Sequence, residues 1–246
     1  MFLPIADEPN PHHFPAMTVA LIAVNVAVYL LVSLPLSMRP PDPTDPALAE
    51  YLRALLPHLP SGTSPREVLQ QMSAYDLVVY GWGFRPAAPS PLTLVTAMFL
   101  HGGLMHLFGN MLYLWIYGDN VEHRLGMPAY LFWYLATGIA ATLFHTLFNI
   151  GSSIPMVGAS GAISGVLGFY LVWFPHHTVK VWVFLFPIYM GMVHISATIV
   201  LVGYLLIDNL LPFLVAPAGG GVAHGAHIGG FIAGAAVALA LRRRRR

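Results

Sequence analysis

Four stretches of this chain are apolar for long enough to cross a lipid bilayer, and nothing else in the sequence limits the fold as much. They are residues 17–36, 129–148, 195–214 and 222–241. About 20 residues rising about 1.5 Å each match a hydrocarbon layer of roughly 30 Å. Within that layer backbone polar groups have no water to bond, so such stretches fold as helices. Two further apolar stretches, residues 104–118 and 160–174, hold 15 residues each, or roughly 22 Å as helix. Composition agrees: 57% of residues are hydrophobic and 9% charged, whereas soluble domains carry about 25% charged residues. The expected fold class is all-α, a polytopic membrane protein with six transmembrane helices.

An even number of crossings puts both termini on one side. The arginine run at residues 242–246, with Arg124 and Lys180, assigns that side to the cytoplasm by the positive-inside rule. Arg39, Arg53, Arg66 and Arg85 fall in the long segment 38–103, where the rule weakens with loop length. The layout predicted is an N-terminal cytoplasmic tail over 1–16, one membrane domain over 17–241 whose first loop, 38–103, is extracytoplasmic, and a basic tail over 242–246. In that loop PPDPTDP reads as exposed, and Trp82, Phe84 and Arg85 suit the headgroup level. His176, His177 and Lys180 read as a solvated cytoplasmic turn. MFLPIADEPNPHH has no basic region followed by an apolar core, so the first span is expected to be retained. The absence of an organellar presequence favours a bacterial cytoplasmic membrane. No cysteine is present, which excludes thiolate metal sites and cysteine nucleophiles. A net charge of +1 gives no reason to expect a nucleic-acid partner.

The second, fourth and sixth crossings run in one direction, so depths along them compare. Ser160 lies 14 residues before Phe174 and His227 lies 14 before Leu241, which sets both roughly 21 Å above the inner boundary. His106, 12 residues before Gly118, stands at roughly 18 Å, with Asn110 one turn deeper. Small residues favour close helix approach: Gly161 and Gly165 follow Ser160, and Gly230 and Gly234 follow His227. A serine hydroxyl becomes an effective nucleophile when a neutral imidazole takes its proton, which is the chemistry Ser160 and His227 offer. Ser160 follows the non-helical segment GSSIPMVGA and opens a helix, so its backbone N–H faces a developing oxyanion. His106 and Asn110, four apart on one helix face, add side-chain donors. No acidic residue is placed to orient His227, so the arrangement reads as a dyad.

The segments FLHGGLMHLFGNMLYLWIYGDNVEHRLG, GASGAISG and GAHIGGFIAG resemble, in order and spacing, the three signatures of the rhomboid protease family, reaching from Phe99 to Gly234. The resemblance implies a six-helix rhomboid bundle with Ser160 as nucleophile and His227 as general base, and an oxyanion hole of His106, Asn110 and the Ser160 backbone. It implies that Glu122 and Arg124 are structural at the cytoplasmic end of their helix. It also implies that the substrates are single-span membrane proteins entering sideways from the lipid bilayer. No cofactor or metal is required. Ser164 departs from the pattern, since some members carry there an aromatic residue that stacks on the catalytic histidine.

The remaining polar residues carry plainer readings. His101 is expected to bond within its loop. His224, three before His227, lacks the further ligands that a metal site wants. Asp208 and Asn209 lie in the fifth span, where a structural or interfacial role and a gating role both stand. Pro217 and Gly219–Gly220–Gly221 suggest a mobile cap before the sixth span. Two rival functions remain: a non-catalytic rhomboid-like binder of membrane clients, which retention of Ser160 and His227 disfavours, and a histidine-lined transporter, which predicts internal repeats.

Overall fold

The computed structural model describes residues 2–59, 62–185, 187–215 and 221–243. The cap suggested at 216–221 therefore lies outside them except for Gly221. Among the described residues four helices are long and apolar enough to span: α1 (Ala16–Ser37), α7 (Met127–Leu147), α9 (Ala197–Val215) and α10 (His224–Arg243, its spanning part ending at Arg242). A fifth crossing results if the bent pair α5 (Pro91–Phe99) and α6 (Leu104–Leu125) counts as one. The protein is an integral multi-pass membrane protein whose spans are helical. Helix α8 (Ser160–Trp173) has 14 residues and falls short of spanning length, so the structure counts four or five crossings where six were expected.

The chain divides into two compact units, one of Met1–Ile22, Phe108–His145 and Ser160–Arg246, the other of Ala23–Leu107 and Thr146–Ala159. In the second, helices α2 (Pro46–Leu55), α3 (Pro65–Gln71) and α4 (Ala74–Trp82) close over Leu48, Val68, Met72 and Leu77. Each begins at a side-chain cap that satisfies N–H groups a helix start leaves open, namely Asp45, Ser64 with Glu67, and Ser73 with Asp76. Phe84, expected at the headgroup level, is instead buried, and its backbone bridges to Met156. Arg85 pairs with Glu50 at 3.0 Å and lies over the Tyr80 ring.

The spans of the first unit are helical as expected, and beside them lies a small sheet that the sequence reading did not foresee. Strands β1 (Phe2–Glu8), β2 (Thr178–Leu185) and β3 (Tyr189–Ser196) form an antiparallel sheet in the order β1-β2-β3. Of the solvated turn read at His176, His177 and Lys180, His176 lies in a turn, but Lys180 belongs to β2, where Val179, Val181 and Val183 alternate inward with period two. Lys180 pairs there with Glu8. Helix α6 runs seven residues past the end of its apolar stretch at Gly118, so that Glu122 and Arg124 lie in its last turns, and stops at Gly126, whose φ of +79° suits a helix C-terminus. Its polar last turns bond inward rather than ending the helix. Glu122 accepts the N–H groups of Met17 and Thr18 at 2.8 and 2.7 Å, closing the start of α1 with a carboxylate. Arg124 lies over the Trp173 ring at 4.6 Å.

Asp7 on β1 is buried and accepts hydrogen bonds from the Tyr170 hydroxyl and from Asn120 Nδ2. Burial, with the nearby Asp119 charge adding to it, pushes the Asp7 carboxyl up from 3.8 to about 7. The folded chain thus holds a proton between those values that the unfolded chain has lost, so stability falls as pH rises from 3.8 towards about 7. Thermal unfolding in detergent should show this slope in the wild type and a weaker one in Asp7→Asn.

Helix α8 is buried on every side from Gly161 to Tyr170; α10 meets it backbone to backbone, and α7 approaches it at Thr137 and Ala141. A Cβ on Gly230 would collide with the Gly161 carbonyl oxygen, and one on Gly234 with that of Gly165. Backbone cannot swing aside as a side chain can. Gly234→Ala should therefore destabilise the fold by about 1–3 kcal/mol. Gly109→Ala, with nothing within 4 Å of the added carbon, should instead gain up to about 1 kcal/mol from helix propensity. Thermal unfolding of the two variants checks the contrast.

Candidate active site

The approach of α8 and α10 sets the geometry of the polar residues at their N-terminal ends. The close contact joins Gly161, next to Ser160, to Gly230, one turn after His227. With the backbones that near, Ser160 Oγ and His227 Nε2 stand 2.7 Å apart. Both residues are half-buried, and Ala226 and Ile228 beside His227 are buried. Ser160 opens α8 after a stretch that makes no helix, so the first N–H groups of α8 have no partner within the helix.

The other ring nitrogen of His227 is also engaged. Nδ1 lies 2.6 Å from Asn209 Oδ1, and Asn209 Nδ2 donates to the Tyr204 carbonyl at 2.8 Å. The Tyr204 ring stacks on the imidazole at a centroid distance of 6.3 Å and 29° between planes. Its hydroxyl is 2.7 Å from Ser164 Oγ. The aromatic neighbour that Ser164 cannot supply thus comes from α9. Asn209 is 1% exposed, whereas Asp208 beside it is exposed, so the polar pair in the fifth span divides its two members between the interior and the outside.

The local cause is a proline. Pro212 has no N–H to give the Asp208 carbonyl, and the turns before it, Tyr204–Leu210, widen to π-helix, with the Leu211 N–H reaching back to Leu206. Neither Asn209 nor Tyr204 was singled out from sequence as a partner of His227. The available signal was an amide in an apolar span three residues before a proline.

The other expected residues divide by location. Asn110, on α6, is buried, and its amide nitrogen has no hydrogen-bond partner among the described residues. His106 stands exposed in the first turn of α6, its ring edge-on to that of His101 at 5.2 Å. His101 is buried, its backbone N–H and carbonyl both bonded to the Tyr75 hydroxyl, at 3.1 and 2.9 Å. The His224 and His227 rings lie edge to face at 6.3 Å.

The model of a family described as the Rhomboid domain matches residues 89–244. Rhomboid protein 1, mitochondrial, of Saccharomyces cerevisiae is 29% identical over 145 residues, covering 51% of this chain and 41% of its own. RHOMBOID-like protein 2 of Arabidopsis thaliana is 31% identical over 159 residues, 62% of this chain and 46% of its own. Rhomboid protease GluP of Bacillus subtilis is 44% identical over 75 residues, 30% of this chain and 14% of its own. In all three alignments the chain spans less than half the relative's length.

Proposed function

The chain belongs to the rhomboid family, and from that premise we propose that it is an intramembrane serine endopeptidase hydrolysing peptide bonds in or near transmembrane segments of membrane-protein substrates. The observation that carries this reading is the 2.7 Å hydrogen bond between Ser160 Oγ and His227 Nε2. In the reaction Nε2 takes the hydroxyl proton as Oγ bonds to the substrate carbonyl carbon. The imidazolium then passes that proton to the leaving amine as the C–N bond breaks. Water, deprotonated by the same nitrogen, releases the acyl group and restores Ser160. The negative oxygen formed at each stage meets the Ser160 backbone N–H and the unpaired Asn110 amide. His106, one turn before Asn110 on α6, is assigned to the same task from its spacing.

Six crossings, with α8 as a short one and both termini cytoplasmic, complete the proposal, and the bacterial cytoplasmic membrane is the proposed location. The partners are single-span membrane substrates and the surrounding lipid. The test is reconstitution of the purified chain in liposomes with a model single-span substrate. Two fragments from a defined cut support the reading. An intact substrate contradicts it, and one that is bound but uncut favours a non-catalytic binder.

A further inference from the structure

We propose that Asn209 is a positioning residue for His227, holding the base of the Ser160–His227 pair in its working tautomer and orientation; this rests on the protease reading above. The amide is itself oriented. Its Nδ2 donates to the Tyr204 carbonyl at 2.8 Å, which turns Oδ1 towards His227. A carbonyl oxygen can only accept, so the 2.6 Å contact requires the hydrogen on Nδ1. Neutral imidazole carries one N–H, and placing it on Nδ1 leaves the Nε2 lone pair facing Ser160 Oγ at 2.7 Å. The opposite tautomer would set an N–H against the serine and a lone pair against Oδ1, and its Nε2 could not take the serine proton.

Burial strengthens the selection. Asn209 is 1% exposed, so bulk water reaches Oδ1 poorly, and losing the bond would leave a buried polar atom unpaired. Tyr204 supports both ends of the device: its carbonyl holds the amide, and its ring, fixed through the hydroxyl to Ser164, lies against the imidazole. The π-helical turns before Pro212 bring both residues to one side of α9. Asn as third member of a histidine relay follows the same logic as an aspartate, without the charge that steadies imidazolium.

Cleavage of the reconstituted single-span substrate is to be measured against pH for the wild type, Asn209→Ala, Asn209→Asp and Ser160→Ala, each matched for folded fraction by thermal unfolding. Asn209→Ala should lose about 10- to 100-fold in kcat with KM unchanged, because orientation of the base is lost and substrate contacts are not. Asn209→Asp keeps the acceptor and adds a charge that favours imidazolium, so it should recover most of kcat and move the acidic limb of the profile to higher pH. If Asn209→Ala retains kcat within about twofold, the inference is overturned. It is also overturned if the aspartate variant folds yet neither recovers kcat nor moves the limb; should that variant not fold, the split between kcat and KM in Asn209→Ala decides alone. Cleavage by Ser160→Ala at the wild-type rate would overturn the protease reading itself, while an inactive Ser160→Ala beside unaffected Asn209 variants overturns only the role of Asn209.

Discussion

Ser160→Ala is expected to lower cleavage of a reconstituted substrate by roughly 10⁶-fold, about the loss seen when a serine protease loses its nucleophile. In the proposed reaction the hydroxyl oxygen is the atom that bonds to the substrate, and no cysteine exists to replace it. What remains are N–H donors that polarise a carbonyl with only water to attack it. The fold should tolerate the change. The Ser160 side chain starts α8 and its hydroxyl bonds His227 alone among the contacts described, so stability should drop by about 1 kcal/mol. A large loss of activity with a small shift in unfolding separates this outcome from general misfolding.

His227→Ala is expected to cost roughly 10³- to 10⁶-fold in the same assay, since the hydroxyl proton then has no acceptor at hydrogen-bond range. Its signature differs in two ways. The double variant Ser160→Ala/His227→Ala should be no slower than the worse single variant, because the two groups act as one unit. Removing the imidazole also leaves Asn209 Oδ1 buried and unpaired, which should destabilise the fold by a further 1–3 kcal/mol, about the desolvation cost of one buried polar atom. Cleavage rates and thermal unfolding of the three variants measure both features. Multiplicative losses in the double variant would show that the residues act separately.

The residues that were legible in sequence are those whose pattern is local. Apolar length located α1, α7, α9 and α10 to within a few residues, and the glycines after Ser160 and His227 marked where α8 and α10 meet. The sheet was missed because its strands carry the same apolar residues as the spans, and only the alternation of Val179, Val181 and Val183 separates them. The apolar stretch ends at Gly118 because Asp119, Asn120 and Glu122 are polar, but the helix continues, since Asn120 and Glu122 bond to β1 and the start of α1 more than 100 residues away. Such pairings leave no local mark. Asn209 was hidden for the same reason: an amide in a span signals a partner without naming it, and the turn that aims it depends on Pro212 acting backward along the helix.

The account stands on Ser160 being a nucleophile activated by its neighbour, and a fluorophosphonate tests that with no assumption about substrate. Incubation of the reconstituted chain with such a probe, followed by peptide mapping, should find one phosphonyl group on Ser160, none in Ser160→Ala, and slow labelling in His227→Ala. Labelling of Ser160→Ala at the wild-type rate, or an adduct at another residue in the wild type, would contradict it.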